Sequence, residues 1–96
     1  MRSSNSDIFK KSFEAFLASN NLTSKYKEAQ VLNNWGNIVG ITIAKSTKKV
    51  EIRNGTLYIH VNSSIIRNEL LMLKSNIIDV VNSKANMQII NNVVII

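Results

Sequence analysis

Apolar residues near the start of the chain recur at the spacing of an α-helix. They follow the i, i+4 rule and predict a short amphipathic helix over residues 7–19, carried by Ile8, Phe9, Phe13, Phe16 and Leu17. The residues before it are polar, so we expect residues 1–6 to be disordered.

A second stripe of helical spacing follows and predicts a longer helix from residue 23 or 24 to about residue 45. Its apolar members are Ala29, Leu32, Val39 and Ile43, and Trp35 lies at one flank. Gly36 and Gly40 fall on the same stripe, although glycine costs about 1 kcal/mol in a helix interior. Two interpretations remain open: close approach of another backbone at these glycines, or a break of the helix near Gly36.

The pattern changes to strict alternation over residues 48–62, which is typical of strands. Asn54-Gly55 is the preferred pair for a two-residue type I′ turn, because both positions need a positive φ. With that turn, Arg53 faces Thr56, Ile52 faces Leu57 and Val50 faces Ile59. The apolar side chains then share one face of the hairpin.

Helical spacing returns over residues 63–83, and the chain ends in a β-branched segment. The third helix has a buried stripe of Ile66, Leu70, Leu73, Ile77, Val80 and Val81. Residues 87–96 predict a last strand in a central, doubly covered position, with a hairpin at Asn91-Asn92 as the alternative. The fold class is therefore α+β, in the order helix-helix-strand-strand-helix-strand, with helices on one face of a three-stranded sheet.

Length and composition narrow the function classes. Ninety-six residues predict one domain over residues 1–96, and no apolar run reaches the length of a membrane span. The chain has no cysteine and a single histidine, His60, so thiolate metal sites and nucleophile–histidine pairs are not predicted. We therefore expect a cytoplasmic protein that is not an enzyme, with no cofactor, no metal, no small-molecule substrate and no membrane partner.

The net charge of +6 is concentrated in the first half of the chain, where residues 1–49 hold eight basic and three acidic residues. A basic excess suits a polyanion such as DNA, bound weakly through phosphates and without sequence preference. The predicted nucleic-acid-binding residues are Lys45, Lys48, Lys49 and Arg53, with Lys10 and Lys11 as additions. A lysine-rich surface with no such role is the alternative.

The third helix also carries residues that lie away from its buried stripe. Arg67, Leu71, Lys74 and Ile78 are spaced i, i+4, i+7 and i+11, which places them within a narrow arc of one helix. This arc predicts a partner-binding strip, and the alternative is that another element, such as the first helix, covers it. A homo-oligomer is also compatible with the apolar last strand.

Several motifs, in their order and spacing, resemble the bacterial DciA-like family over residues 25–96. They are Trp35, Val39-Gly40, Ala44, Thr47, Asn54-Gly55-x-Leu57, Val61, Ser63-Ser64 and the run RNEL from Arg67 to Leu70. The sequence departs from many relatives at Lys48-Lys49, where they carry proline, and at Ile65-Ile66, where they carry an aromatic residue. It also lacks the GxxG loop of RNA-binding KH domains.

The resemblance implies a KH-like fold, DNA binding and a role as operator or loader of the replicative helicase. The first functional interpretation is therefore a non-enzymatic accessory protein that binds DNA weakly and contacts that helicase. The alternative is a small protein–protein adaptor or homodimer with no nucleic-acid role.

Overall fold

The structure is a computed structural model that describes residues 5–96. Six helices and three strands follow one another in these residues: α1 (Asn5–Ser19), α2 (Thr23–Asn33), α3 (Trp35–Val39), α4 (Ile41–Ser46), β1 (Thr47–Arg53), β2 (Thr56–Val61), α5 (Ser64–Met72), α6 (Lys74–Ala85) and β3 (Asn92–Ile95). The α+β class and the three-stranded sheet are confirmed. Of the segment expected to be disordered, Asn5 and Ser6 belong to α1, and residues 1–4 lie outside the described residues.

The long second helix of the sequence analysis is three short helices. The chain breaks first at Asn34 and again at Gly40, which has φ 90° and ψ 163°. Only glycine adopts this conformation readily, so Gly40 ends α3 and starts α4 in a new direction. Of the two interpretations left open, the break of the helix is confirmed, although it lies at Asn34 and Gly40 rather than at Gly36. Close backbone approach is wrong, because a Cβ on Gly36 would make only an ordinary contact with Ala44 and one on Gly40 would meet nothing within 4 Å.

The hairpin and its register are confirmed. Arg53 pairs with Thr56, Ile52 with Leu57 and Val50 with Ile59, and the turn residues Asn54 and Gly55 have φ values of 50° and 78°. A register shift between Thr47 and Lys49 adds a bulge at the start of β1. Alternate residues of β2 are fully buried, so one face of the sheet meets the helices and the other stays more open.

The sheet order is β1-β2-β3, and β3 runs parallel to β2. The central position predicted for the last strand is therefore wrong: β3 is an edge strand and β2 is central. The predicted strand is also too long, since only Asn92–Ile95 is extended. Its apolar character has another cause, because Ile89 and Ile90 are buried in the loop before β3 rather than in a strand.

The side chain of Asn82 holds that loop in place. Its Oδ1 accepts hydrogen bonds from the backbone N–H groups of Ile89 (2.9 Å) and Ile90 (3.0 Å), and its Nδ2 donates to the Ile90 carbonyl (2.9 Å). Asn86 ends α6 in the left-handed conformation. These two asparagines turn the chain from α6 back to the sheet.

A single buried cluster joins the sheet to α2, α3, α5 and α6. Trp35 lies in it at 6% exposure, and its Nε1 donates to the Thr47 hydroxyl at 3.1 Å. The flank of the predicted stripe is therefore buried at Trp35. The helix α1 adds only Leu17 to the buried residues. The principal axes of the described structure measure 51 × 25 × 20 Å.

Candidate nucleic-acid and partner surfaces

The junction of α4 and β1 presents two exposed lysines, Lys45 and Lys48. Lys45 lies in the last turn of α4, and Lys48 lies at the bulge of β1. Thr47 lies between them in sequence. Its hydroxyl accepts a hydrogen bond from Trp35 Nε1 and donates one to the Ile43 carbonyl at 2.8 Å. Because this threonine ties the junction to the core, both lysines project from a fixed backbone.

The other two predicted cations of this segment are neutralised in part by Glu51. Its carboxylate lies 3.1 Å from Lys49 Nζ and 2.9 Å from Arg53 Nε, and 3.5 Å from His60 Nε2. Arg53 also stacks over the Tyr58 ring at 4.4 Å. Lys49 and Arg53 therefore share one anion on the open face of the sheet, which leaves less of their charge for phosphates.

The surroundings of Glu51 favour its ionised form. The hydrogen bond from Lys49 is the main cause that lowers the pKa of Glu51, and the charges of Lys49, Arg53 and His60 act in the same direction. Partial burial of the carboxylate opposes them. The carboxylate thus keeps its charge, and its hold on Lys49 and Arg53, in mildly acidic solution.

Lys10 and Lys11 are exposed but lie on α1, which packs against α2. Lys10 lines the groove between these two helices. The structure therefore places the six predicted basic residues on two parts of the surface rather than in one patch.

The predicted partner strip is divided by a break at Leu73, which separates α5 from α6. Leu71 is 46% exposed, Lys74 is half-buried, and Arg67 donates to the Val61 carbonyl at 3.2 Å. Ile78 packs against the buried cluster. The expectation of one continuous outward strip is wrong, because the helical spacing that aligned the four residues does not continue through the break.

Sequence reasoning missed the most exposed apolar residues of α5. Ile65 is 72% exposed and Met72 is 78% exposed, and their separation of seven positions, about two helical turns, places both on one face. Leu73 and Val80, assigned to the buried stripe, are about two-fifths exposed (39% and 40%). A signal was present in the run Leu71-Met72-Leu73, since three successive residues of a helix cannot all face one core.

Residues 5–96 contain no group of three or more histidine or acidic side chains that could hold a metal ion. Across the same part of the chain, no helix is both long and apolar enough to cross a bilayer. His60 Nε2 is buried without a hydrogen-bond partner among the described residues, with Glu51 as its nearest anion.

A mixed three-stranded sheet backed by helices defines a small α+β domain, with exposed lysines at the α4–β1 junction. The chain belongs to the DciA family: the family model described as "Dna[CI] antecedent, DciA" matches residues 9–95. This is a non-catalytic family of helicase-loader-type accessory proteins. No curated protein matches the chain.

Proposed function

We propose that the protein is a non-enzymatic, cytoplasmic accessory factor that contacts the replicative helicase and binds DNA weakly. The family match across residues 9–95 carries this proposal. The exposed Lys45 and Lys48 support the DNA-binding part, and the exposed apolar face of α5 supports the helicase contact.

DNA contact at the α4–β1 junction is electrostatic. Lysine ammonium groups meet phosphates as point charges, so binding carries no sequence preference. Two released counterions correspond to a slope of log K against log salt of about −1.8 on duplex DNA and about −1.4 on a single strand. Full engagement of Lys49 and Arg53 would steepen the duplex slope to roughly −3.6, but their pairing with Glu51 opposes it.

The test is a salt titration of DNA affinity with charge-matched variants. Changing Lys45 and Lys48 together to Ala should flatten the duplex slope by up to about 1.8. Changing Lys25 and Lys84 together to Ala removes the same charge from exposed positions on α2 and α6 and should leave the slope unchanged. Undetectable binding at low salt, or equal slopes for the two variants, would mean that the junction is only a solvated surface and would favour an adaptor with no nucleic-acid role.

The helicase contact is assigned to the exposed face of α5. Ile65 and Met72 form its apolar centre, and exposed Leu71 lies at its edge. An exposed apolar helix face of this kind fits an apolar groove of a partner. Ile78 is left out of this surface, since its side chain already packs in the core.

Calorimetric titration of the chain against the replicative helicase of the same organism tests this contact. Changing Leu71 and Met72 together to Asp should weaken binding at least tenfold without lowering the melting temperature, because both side chains are exposed. Ile41→Asp is the matched control, because Ile41 is 70% exposed on α4. Equal loss in both variants would remove α5 from the interface, and no binding by the unmodified chain would refute the helicase role.

A further inference from the structure

A cavity of about 170 Å³ lies between the helices α3 and α4 on one side and the start of α6 on the other. Its lining is apolar except for Asn76, and it includes Ile38 on the α3 side and Leu73 and Val80 on the α6 side. Leu73 and Val80 keep about two-fifths of their surface exposed to solvent (39% and 40%). Since a cavity of about 150 Å³ holds a benzene ring, this one fits a single leucine or phenylalanine side chain.

A second cavity, of about 310 Å³, lies beside the first along α6 and is more polar. Ile38 lines both cavities, so the two meet at this side chain. Lys84 lines the second cavity one helical turn beyond Val80, which places their Cα atoms about 6 Å apart. The exposed amides of Asn34 and Asn37 lie on its other side and offer hydrogen-bond donors and acceptors. Together the two cavities form the α3–α6 groove.

The polar end of the α3–α6 groove is positively charged. Lys84 forms no ion pair within residues 5–96. The ammonium of Lys27 donates a hydrogen bond to the carbonyl of Ala85 at 2.7 Å, and Ala85 also lines this end. In the described part of the chain, no acidic residue lines either cavity. The groove therefore suits a large apolar side chain at one end and a carboxylate at the other.

We propose that the α3–α6 groove binds an acidic peptide segment of a protein partner, with one large apolar side chain in the first cavity and a carboxylate at Lys84. The apolar cavity is too small for a fatty-acid chain, and it has no cation for a nucleic-acid phosphate. Both cavities are open to solvent, whereas sites for free small molecules bury most of the ligand. The net charge of +6 disfavours a second copy.

This site goes beyond the proposed helicase contact. Ile65, Leu71 and Met72, which carry that contact, line neither cavity of the α3–α6 groove. Variants of the groove therefore leave the exposed face of α5 intact, and the two surfaces are tested separately.

Amide chemical shifts measured by NMR during a peptide titration test the groove. The probe is an alanine-based helical peptide with one leucine and a glutamate one turn to each side of it. It should shift the amides of Ile38, Val80 and Lys84 with a dissociation constant on the order of 1 mM, because only one side chain is buried. A control peptide with glutamine in place of both glutamates should bind about two- to fivefold more weakly, which is the effect of one exposed ion pair. A peptide with alanine in place of the leucine should not bind.

Two charge-matched variants of the chain locate the carboxylate. Lys84→Gln should bind the probe and the glutamine control with nearly equal affinity. Lys25→Gln changes an exposed lysine of α2 outside both cavities and should keep the preference for the probe. Unshifted groove amides at about 5 mM probe, or a preference that Lys84→Gln leaves unchanged, overturns the proposal. Shifts of the same amides when the chain is concentrated without peptide would assign the groove to a second copy and would also overturn it.

Discussion

Replacing Asn82 with Ala should destabilise the domain more than any other exposed or half-buried asparagine change. The substitution removes three hydrogen bonds of 2.9–3.0 Å and leaves two backbone N–H groups and one carbonyl without partners next to buried Ile89 and Ile90. At about 1 kcal/mol for each bond, the free energy of unfolding falls by about 3 kcal/mol. For a domain of this size, the melting temperature should then fall by roughly 12–24 °C.

Urea unfolding and amide hydrogen exchange measure this effect together. Asn76→Ala, an exposed asparagine on the same helix, is the control and should change stability by less than about 0.5 kcal/mol. Asn82→Asp keeps the acceptor for both N–H groups and should recover part of the loss. A loss below about 1 kcal/mol, or unaltered exchange at the amides of Ile89 and Ile90, would show that these bonds do not hold the loop.

Two further outcomes follow from the fold and the Glu51 cluster. Gly40→Ala forces alanine to φ 90° and should lower the free energy of unfolding by about 1–3 kcal/mol, measured by urea unfolding. Gly36→Ala is the control and should not destabilise the protein, because Gly36 lies inside α3 and its added Cβ makes only an ordinary contact with Ala44. Equal effects of the two changes would show that the positive φ of Gly40 does not require glycine. Because the pKa of Glu51 in the folded protein lies below its ordinary value of 4.5, its ion pairs contribute stability above that value and lose it as the pH falls through the lowered pKa. Glu51→Gln should therefore reduce the acid dependence of stability below pH 4.5, and an unchanged pH profile would refute the assignment.

Local patterns predicted the hairpin because its turn and its alternation depend on neighbours in sequence. Asn54 and Gly55 define the turn, and the register then follows without any tertiary information. The broken helices were not predictable from periodicity in the same way. Leu73 fits a helical stripe, yet its backbone leaves the helical conformation (φ −108°, ψ 13°), so α5 ends before it and α6 begins after it.

The candidate surfaces were predicted by residue type but not by arrangement. Lys45 and Lys48 are exposed as expected, while Lys49 and Arg53 are joined by Glu51, which belongs to the same strand face. Alternation alone places Lys49, Glu51 and Arg53 on one side of β1, but it does not predict how closely their charges pair. Ile78 was misassigned because the position of a helical residue beyond a break depends on the packing of the second helix.

The parallel pairing of β3 with β2 has a consequence for how the chain acquires its fold. β1 and β2 join residues close in sequence, whereas Leu57 meets Val93 only after α5 and α6 have been placed between them. Closing the longer loop costs more entropy, so we expect the hairpin to form first and β3 to dock last. Until β3 docks, one edge of β2 has unpaired N–H and C=O groups, and the apolar side chains of β2 lie next to that edge. This partly folded state is the one most open to strand pairing between molecules. The hazard of aggregation during folding therefore lies at the β2 edge, which the native protein covers.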